Sequence, residues 1–313
     1  MKKVIVIAGP TASGKTGLSL ALAEKLGGEI VSADSMQIYR GMDIGTAKAT
    51  PAEQARAVHH MIDVVEPEED YSVARYVEDA ARCCDDILSR GKVPIITGGT
   101  GLYIDSLLSG RDFARRDEDS ELRERLLREY DAAGGEEMHR RLAEIDPERA
   151  QKLPTGDRRR ICRALEIYML TGMTATEHDE RTKRLPPRYE AVKLYLTCSD
   201  RSELYRRIDG RVDAMIADGL FDEVAGLLAR GVPESCTAMQ AIGYKETAMA
   251  LRGEISPESA AELIKMGSRR YAKRQLTWFR RDSEAHWLER TAFTEEKDLL
   301  RLSTEYIARR DIS

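Results

Sequence analysis

Short continuous apolar runs alternate with helix-spaced apolar positions through the first hundred residues. Val4 to Ala8 is an unbroken, β-branched stretch, the pattern of a strand covered on both faces. It stops at Gly9-Pro10. Residues 16–26 carry apolar side chains at helical spacing, and Gly27-Gly28 ends that helix. Glu29 to Ser32 predicts a second strand, residues 72–90 a long amphipathic helix, and Val93 to Thr97 a third strand broken by Gly98-Gly99. This alternation predicts a P-loop-like α/β core, a doubly wound parallel sheet with helices on both faces. From about residue 113 to 188 the chain is charge-dense and helix-patterned, with no convincing strand, and it ends at Leu185-Pro186-Pro187-Arg188. Ala191 to Thr197 reads as a strand again. The remainder is mainly helical, with a short strand at His286-Trp287-Leu288. The expected organisation is a core of residues 1–112 and 189–313, interrupted by a helical insertion at 113–188.

Composition changes this picture little. Hydrophobic residues make up 42% of the 313 and charged residues 33%, enough for a packed core under a heavily charged surface. The net charge of −5 argues against a uniformly basic nucleic-acid binder but leaves room for a local basic face. Five cysteines without a C-x-x-C pair fit reduced thiols rather than a disulfide framework or a zinc site. His59 and His60, adjacent on one element, point apart and read as structural. The apolar run after Met1-Lys2-Lys3 is too short for a signal or a membrane span, so the expectation is a cytoplasmic protein with no membrane contact.

The first chemistry-bearing motif is Gly9-Pro10-Thr11-Ala12-Ser13-Gly14-Lys15-Thr16, a full G-x-x-x-x-G-K-[ST] between a buried strand and a helix. The glycines let backbone N–H groups turn inward around phosphate oxygens, and the helix N-terminus adds partial positive charge. Lys15 adds a full charge, and the Thr16 hydroxyl can coordinate Mg²⁺. The motif specifies a polyphosphate without saying which one.

Past the second strand, Asp34 stands at the rim where open α/β sheets bind ligands. A carboxylate there can hold Mg²⁺ or take a proton from a nucleophile, and it can equally be a plain turn or cap residue. Ser35 and Gln37 offer hydroxyl and amide groups suited to a base edge. Thr100 follows Gly98-Gly99 at the same rim, as a reacting-site hydroxyl, a helix N-cap, or both. Arg207 and Arg211, four apart on a helix beginning near Ser202, read from spacing alone as solvent-facing.

Asp34-Ser35-Met36-Gln37-Ile38-Tyr39-Arg40-Gly41-Met42-Asp43-Ile44-Gly45-Thr46-Ala47-Lys48 resembles the signature that follows the P-loop in the tRNA dimethylallyltransferases. Further collinear matches include His59 to Asp63, Gly98 to Tyr103, Arg163 to Glu166, Ala238 to Lys245 and Lys273 to Arg280. The resemblance implies that the P-loop binds dimethylallyl diphosphate, with Mg²⁺, and that N6 of the adenosine 3′ of the anticodon (position 37) is the nucleophile. It implies that Asp34 accepts the proton, that Thr100 bonds Asp34 or the base, that Lys15 and Arg211 act on the diphosphate, and that Ser35, Met36 and Gln37 lie beside the base. It also implies base flipping into a channel, with the insertion clamping the anticodon stem.

Two basic stretches interrupt the acidic background. Arg158, Arg159, Arg160 and Arg163 crowd one helix start. Lys265 to Arg281 holds seven basic residues and no acidic one, with Tyr271, Trp278 and Phe279 interleaved. Basic groups hold phosphates and aromatics stack on unpaired bases. The resemblance implies tRNA contacts from Arg123, Arg159, Arg160, Arg163, Gln240, Gly243, Tyr244, Lys245, Lys273, Arg274, Trp278 and Arg280. The Arg158–Arg160 run is more basic than the Gln-Arg pair associated with the family. The zinc finger of the family's eukaryotic members has no counterpart, which points to a bacterial-type enzyme, and a monomer is expected. The competing readings are a small-metabolite P-loop kinase, a prenyltransferase of free adenine nucleotides, and a non-catalytic RNA-binding module. The kinase has no need of the basic stretches.

Overall fold

The computed structural model describes residues 2–110, 120–291 and 294–310. The chain divides into two compact units, Met1–Leu108 with Arg188–Ser313, and Ser109–Pro187. The first begins β1 (Lys3–Ala8), α1 (Lys15–Leu26), β2 (Glu29–Ser32), α2 (Pro51–Arg56), β3 (His59–His60), α3 (Val73–Ser89), β4 (Pro94–Gly98) and α4 (Gly101–Leu108). The second holds α5 (Ser120–Ala133), α6 (Gly135–Ile145), α7 (Pro147–Lys152), α8 (Arg158–Thr171) and α9 (Ala175–Lys183). The first unit resumes with β5 (Glu190–Thr197), α10 (Arg201–Ala217), α11 (Leu220–Ala229), α12 (Tyr244–Leu251), α13 (Pro257–Phe279), β6 (His286–Glu289) and α14 (Glu296–Ala308). The expected insertion boundary near 112–113 lies outside the described residues.

The six strands form one parallel sheet in the order β3-β2-β4-β1-β5-β6. Alternation sets the faces. Ile5 and Ile7 of β1 join Ile30, Ile95, Leu194 and Leu196 under α1 and α14 in one core cluster. Val4 and Val6, equally buried, turn to the opposite side, where α3 and α4 pack against the sheet. The α/β expectation therefore holds, helices on both faces included. Segment 33–50, read from sequence only as a motif, forms a long loop without regular structure. His59-His60 is a two-residue strand, and His60 Nε2 lies 2.7 Å from the buried Glu29 carboxylate, which Arg90 and Lys92 also hold.

The second unit has its own core, built from Leu126, Leu142, Ile161 and Leu165. Among the described residues no helix is long and apolar enough to cross a membrane.

Register positions the site. Ala8 pairs with Gly98 and Tyr195, and Ser32 with Thr97, so the β1, β2 and β4 strands end side by side. Gly98 allows that proximity: a Cβ there would come within 2.2 Å of the Ala33 carbonyl oxygen.

Candidate active site

The β1–α1 connection carries the glycine-rich motif expected to cradle phosphate. Gly9 (φ 147°) and Gly14 (φ 94°) take backbone conformations that L side chains resist. A Cβ on Gly9 would lie 2.5 Å from the Leu196 carbonyl oxygen. The loop is fastened from outside by its carbonyls: Arg207 Nε donates to Ala12 O at 2.9 Å and Arg290 Nη1 to Ser13 O at 3.4 Å. Buried Gln275 of α13 ties it to the β4 loop, accepting from Thr11 N–H at 2.9 Å and donating to Gly99 O at 3.0 Å. Ser13 Oγ is buried without a hydrogen-bond partner among the described residues. Lys15 Nζ donates to the Gly9 and Pro10 carbonyls, at 3.0 and 2.8 Å. Desolvation by the surrounding walls, then repulsion by Arg211, lowers its pKa to about 7 against a smaller opposing pull from Asp34.

The β2 loop carries the acid. Asp34 Oδ1 accepts the Met36 N–H at 2.9 Å, an Asx turn that fixes the carboxylate at the strand end. The turn reading and the rim reading of Asp34 therefore hold together. Thr100 starts α4, its carbonyl accepting N–H bonds from Tyr103 and Ile104. Its hydroxyl turns away from its own helix, accepting the Ser35 N–H at 3.0 Å and lying 3.3 Å from Ser35 Oγ. Gln37 is held at both ends of its amide: Nε2 donates to Thr46 O and Ala47 O, and Oε1 accepts from Ser32 Oγ. Buried Lys48 braces the same loop through Asp43, Asp63 and the Tyr39 carbonyl.

These loops enclose a cavity of about 640 Å³. Of the residues singled out in the sequence, Thr11, Ala12, Gly14, Lys15, Thr16, Asp34, Ser35, Met36, Gln37, Arg211, Gln240, Gly243 and Arg274 line it. Gly9, Pro10 and Ser13 lie behind the lining in the loop itself, and Thr100 reaches it through Ser35. Arg207 and Arg211 also line the cavity, so the solvent-facing reading from helical spacing is corrected: one face of α10 packs over the phosphate loop. Burial lowers the pKa of Arg211, with Asp34 pulling the other way. Tyr271, also in the lining, is pushed up to about 12 by burial and then by the Asp34 charge.

Other singled-out residues have intrachain positions of their own. Tyr244 is fully buried, its hydroxyl donating to Glu223 Oε1 at 2.5 Å. Trp278 Nε1 donates to Asp105 Oδ2 at 2.9 Å, and its ring fills the space a Gly101 Cβ would need. Lys245, Lys273 and Arg280 are exposed. In the second unit Arg123 and Arg163 both pair with buried Glu166, while Arg159 and Arg160 are exposed. Gln275, Glu223 and Arg290 carried no functional assignment in the sequence, and Tyr271 only that of an aromatic available to stack on bases. Only Gln275 lay in a motif, and nothing in its spacing signals a bridge between two loops.

The donor set suits a hard cation shared with substrate. Among the described residues no three His, Cys, Asp or Glu side chains cluster as a metal site. The exposed Thr16 hydroxyl and the Asp34 carboxylate both face the cavity, leaving phosphate oxygens and water to complete an oxygen shell.

Comparison with known proteins gives concordant results. The family described as IPP transferase matches residues 37–282, and that described as isopentenyl transferase matches residues 2–63. The tRNA dimethylallyltransferase of Acetivibrio thermocellus is 45% identical over 308 residues, 98% of each chain. That of Desulfosudis oleivorans is 50% identical over 92% of this chain and 91% of its own. The solved tRNA delta(2)-isopentenylpyrophosphate transferase of Staphylococcus epidermidis superposes with a TM-score of 0.73 at 41% identity, covering 99% of this chain and 100% of that one. A eukaryotic dimethylallyltransferase, described as acting on tRNA, superposes with a TM-score of 0.83 at 30% identity, covering 100% and 81%. With most of its length matched by one family description and nearly all of it by relatives of this identity, the chain belongs to the IPP transferase family, the tRNA dimethylallyltransferases.

Proposed function

We propose that this chain transfers the dimethylallyl group of dimethylallyl diphosphate to N6 of adenosine 37 in tRNA. The observation that carries the reading is one cavity in which a phosphate loop, a rim carboxylate and two unneutralised cations, Lys15 and Arg211, face one another. The diphosphate seats on the N–H groups of residues 14–16 at the start of α1, with Lys15 and Arg211 on its oxygens. The adenine N6 lone pair forms a bond to C1 of the prenyl group as the C1–O bond breaks. The electron pair leaves on the diphosphate, where the cations and loop dipoles stabilise it. The N6 proton goes to Asp34, whose Asx turn fixes one oxygen and leaves the other for the base. The delocalised amine is a weak nucleophile, so alignment by the Ser35–Thr100 pair matters more than the basicity of Asp34. Bound Mg²⁺ would supply charge neutralisation on the diphosphate, and Thr16 is the residue that would hold it. Exposed Lys273 and Arg280, with Arg274 at the cavity, take the RNA backbone, and the reaction belongs in the cytoplasm, on a single chain.

The test is incubation with Mg²⁺, unmodified tRNA and labelled dimethylallyl diphosphate, with ATP in a parallel control. Label on adenosine N6 from the prenyl donor alone is the expected result. ATP-dependent phosphorylation of a small molecule without labelled RNA would move the chain to the kinase reading. Asp34→Ala should lower turnover by roughly 10²- to 10⁴-fold with little change in tRNA affinity. Equal losses in both would remove the base assignment.

A further inference from the structure

One wall of the cavity, Gly45 to Ala47, is held from outside by residues that do not face the phosphate loop. Glu223 of α11 accepts three consecutive backbone N–H groups: Asp43 and Ile44 on Oε2, both at 2.8 Å, and Gly45 on Oε1 at 3.1 Å. Successive N–H groups converging on one point make an anion nest. Here the protein fills it with its own carboxylate. The Tyr244 hydroxyl donates to the same carboxylate at 2.5 Å, and its ring lies against Gly45 so closely that a Cβ there would come within 2.5 Å of it. Glycine at 45 is what lets the ring and the loop meet.

The clamp has a route to the acid. Gln37 ties the Thr46 and Ala47 carbonyls to Ser32 at the end of β2, two residues before Asp34. The phosphate loop is fastened separately, by Gln275 and Arg207, and neither bonds to the 43–47 segment. The 43–47 wall and the phosphate loop are thus held by different side chains.

We propose that Glu223, seated in this nest and backed by Tyr244, is a positioning residue for the acceptor base: it fixes the Gly45–Ala47 wall against which the adenine lies, without touching either substrate. The proposal rests on the prenyltransferase reading above. Its signature is a split between substrates. Removing the carboxylate loosens the acceptor wall and leaves the donor cradle intact.

The experiment compares wild type, Glu223→Ala, Glu223→Gln and Tyr244→Phe in steady-state transfer, varying tRNA and dimethylallyl diphosphate separately. Glu223→Ala should raise KM for tRNA roughly tenfold or more, the effect of losing charge-assisted bonds to three donors. Its KM for the donor should stay within about twofold. Sodium formate, small enough to enter the vacated nest, should restore the tRNA KM of Glu223→Ala, whereas sodium chloride at equal ionic strength should not. Glu223→Gln and Tyr244→Phe should show the same split at smaller size. These two milder variants decide the matter should Glu223→Ala fail to fold. Wild-type constants in all variants, or KM values that rise together for both substrates without a formate response, would overturn the clamp. A wild-type protein that prenylates no RNA would remove the underlying reading and the clamp with it.

Discussion

Two basic helices of this chain look alike in sequence and differ in what the fold does with them. At the start of α8, Arg158 pairs with Asp131, Arg160 with Asp157, and Arg163 joins Arg123 on Glu166, whose side chain is 2% exposed. Arg159 alone has no carboxylate partner among the described residues. In α13 the first cations are also neutralised, Lys265 by Asp213 and Glu262 and Arg269 by Asp209. From Arg270 onward none has a carboxylate partner among the described residues. Arg274 instead lies over the Tyr271 ring and Arg281 over Trp278, with cation-to-centroid distances of 5.5 Å. The cause is local. α8 has acidic residues three positions away at Asp157 and Glu166, whereas no acidic residue stands between Glu262 and Asp282. A run of arginines is thus structural where carboxylates answer it and available to a polyanion where they do not.

The largest effect is expected at Glu166. Glu166→Ala leaves two arginines facing a void and should destabilise the protein by about 3 kcal/mol, the low end for breaking a buried pair because both guanidinium groups are partly exposed. Thermal or urea unfolding checks it, and an unchanged midpoint would remove the structural assignment of Arg123 and Arg163. Next comes the free set. Replacing Lys273, Arg274 and Arg280 together by alanine should weaken tRNA binding by roughly tenfold to a hundredfold and lower the slope of log affinity against log salt by about 2–3. Melting should be little affected, since these side chains have no carboxylate partner among the described residues.

Lys15 sharpens the contrast from inside the cavity, as a cation bonded only to carbonyls. Its free pKa near 7 should rise when a diphosphate binds. Below pH 7 it is charged in both states and contributes fully. Above pH 7 binding must take up a proton, so donor affinity should fall by up to about tenfold per pH unit until the bound-state pKa is reached. Calorimetry in buffers of different ionisation enthalpy would detect the uptake at pH 8, and a flat profile would show that Lys15 stays charged when empty. The smallest effect belongs to Arg158→Ala, a solvent-screened pair with Asp131, which should leave the unfolding midpoint nearly unchanged.

Much of the fold was legible because its signals are local. The β-branched run at Val4–Ala8, the glycine breaks at Gly27 and Gly98, and the prolines at 186–187 each mark an element end by the conformations those residues allow. The glycine-bracketed turn from β1 into α1 was legible for the same reason: its signal lies within eight consecutive residues. Gln275 was not legible, because its function is to join Thr11 to Gly99 across 264 and 176 residues. Arg211 was misread from spacing, since helical periodicity gives a face and not what covers it.

The chain's own residues determined which groups can do chemistry: a polyphosphate cradle at 9–16, a carboxylate at 34, a hydroxyl at 100 and two runs of arginine and lysine. Tertiary structure alone decided which of these face one cavity, which cations are neutralised, and that Glu223 fills the nest at 43–45. Backbone conformation and charge are properties of neighbours in sequence, whereas partnership depends on strand order and helix packing, which bring together side chains that no local pattern connects.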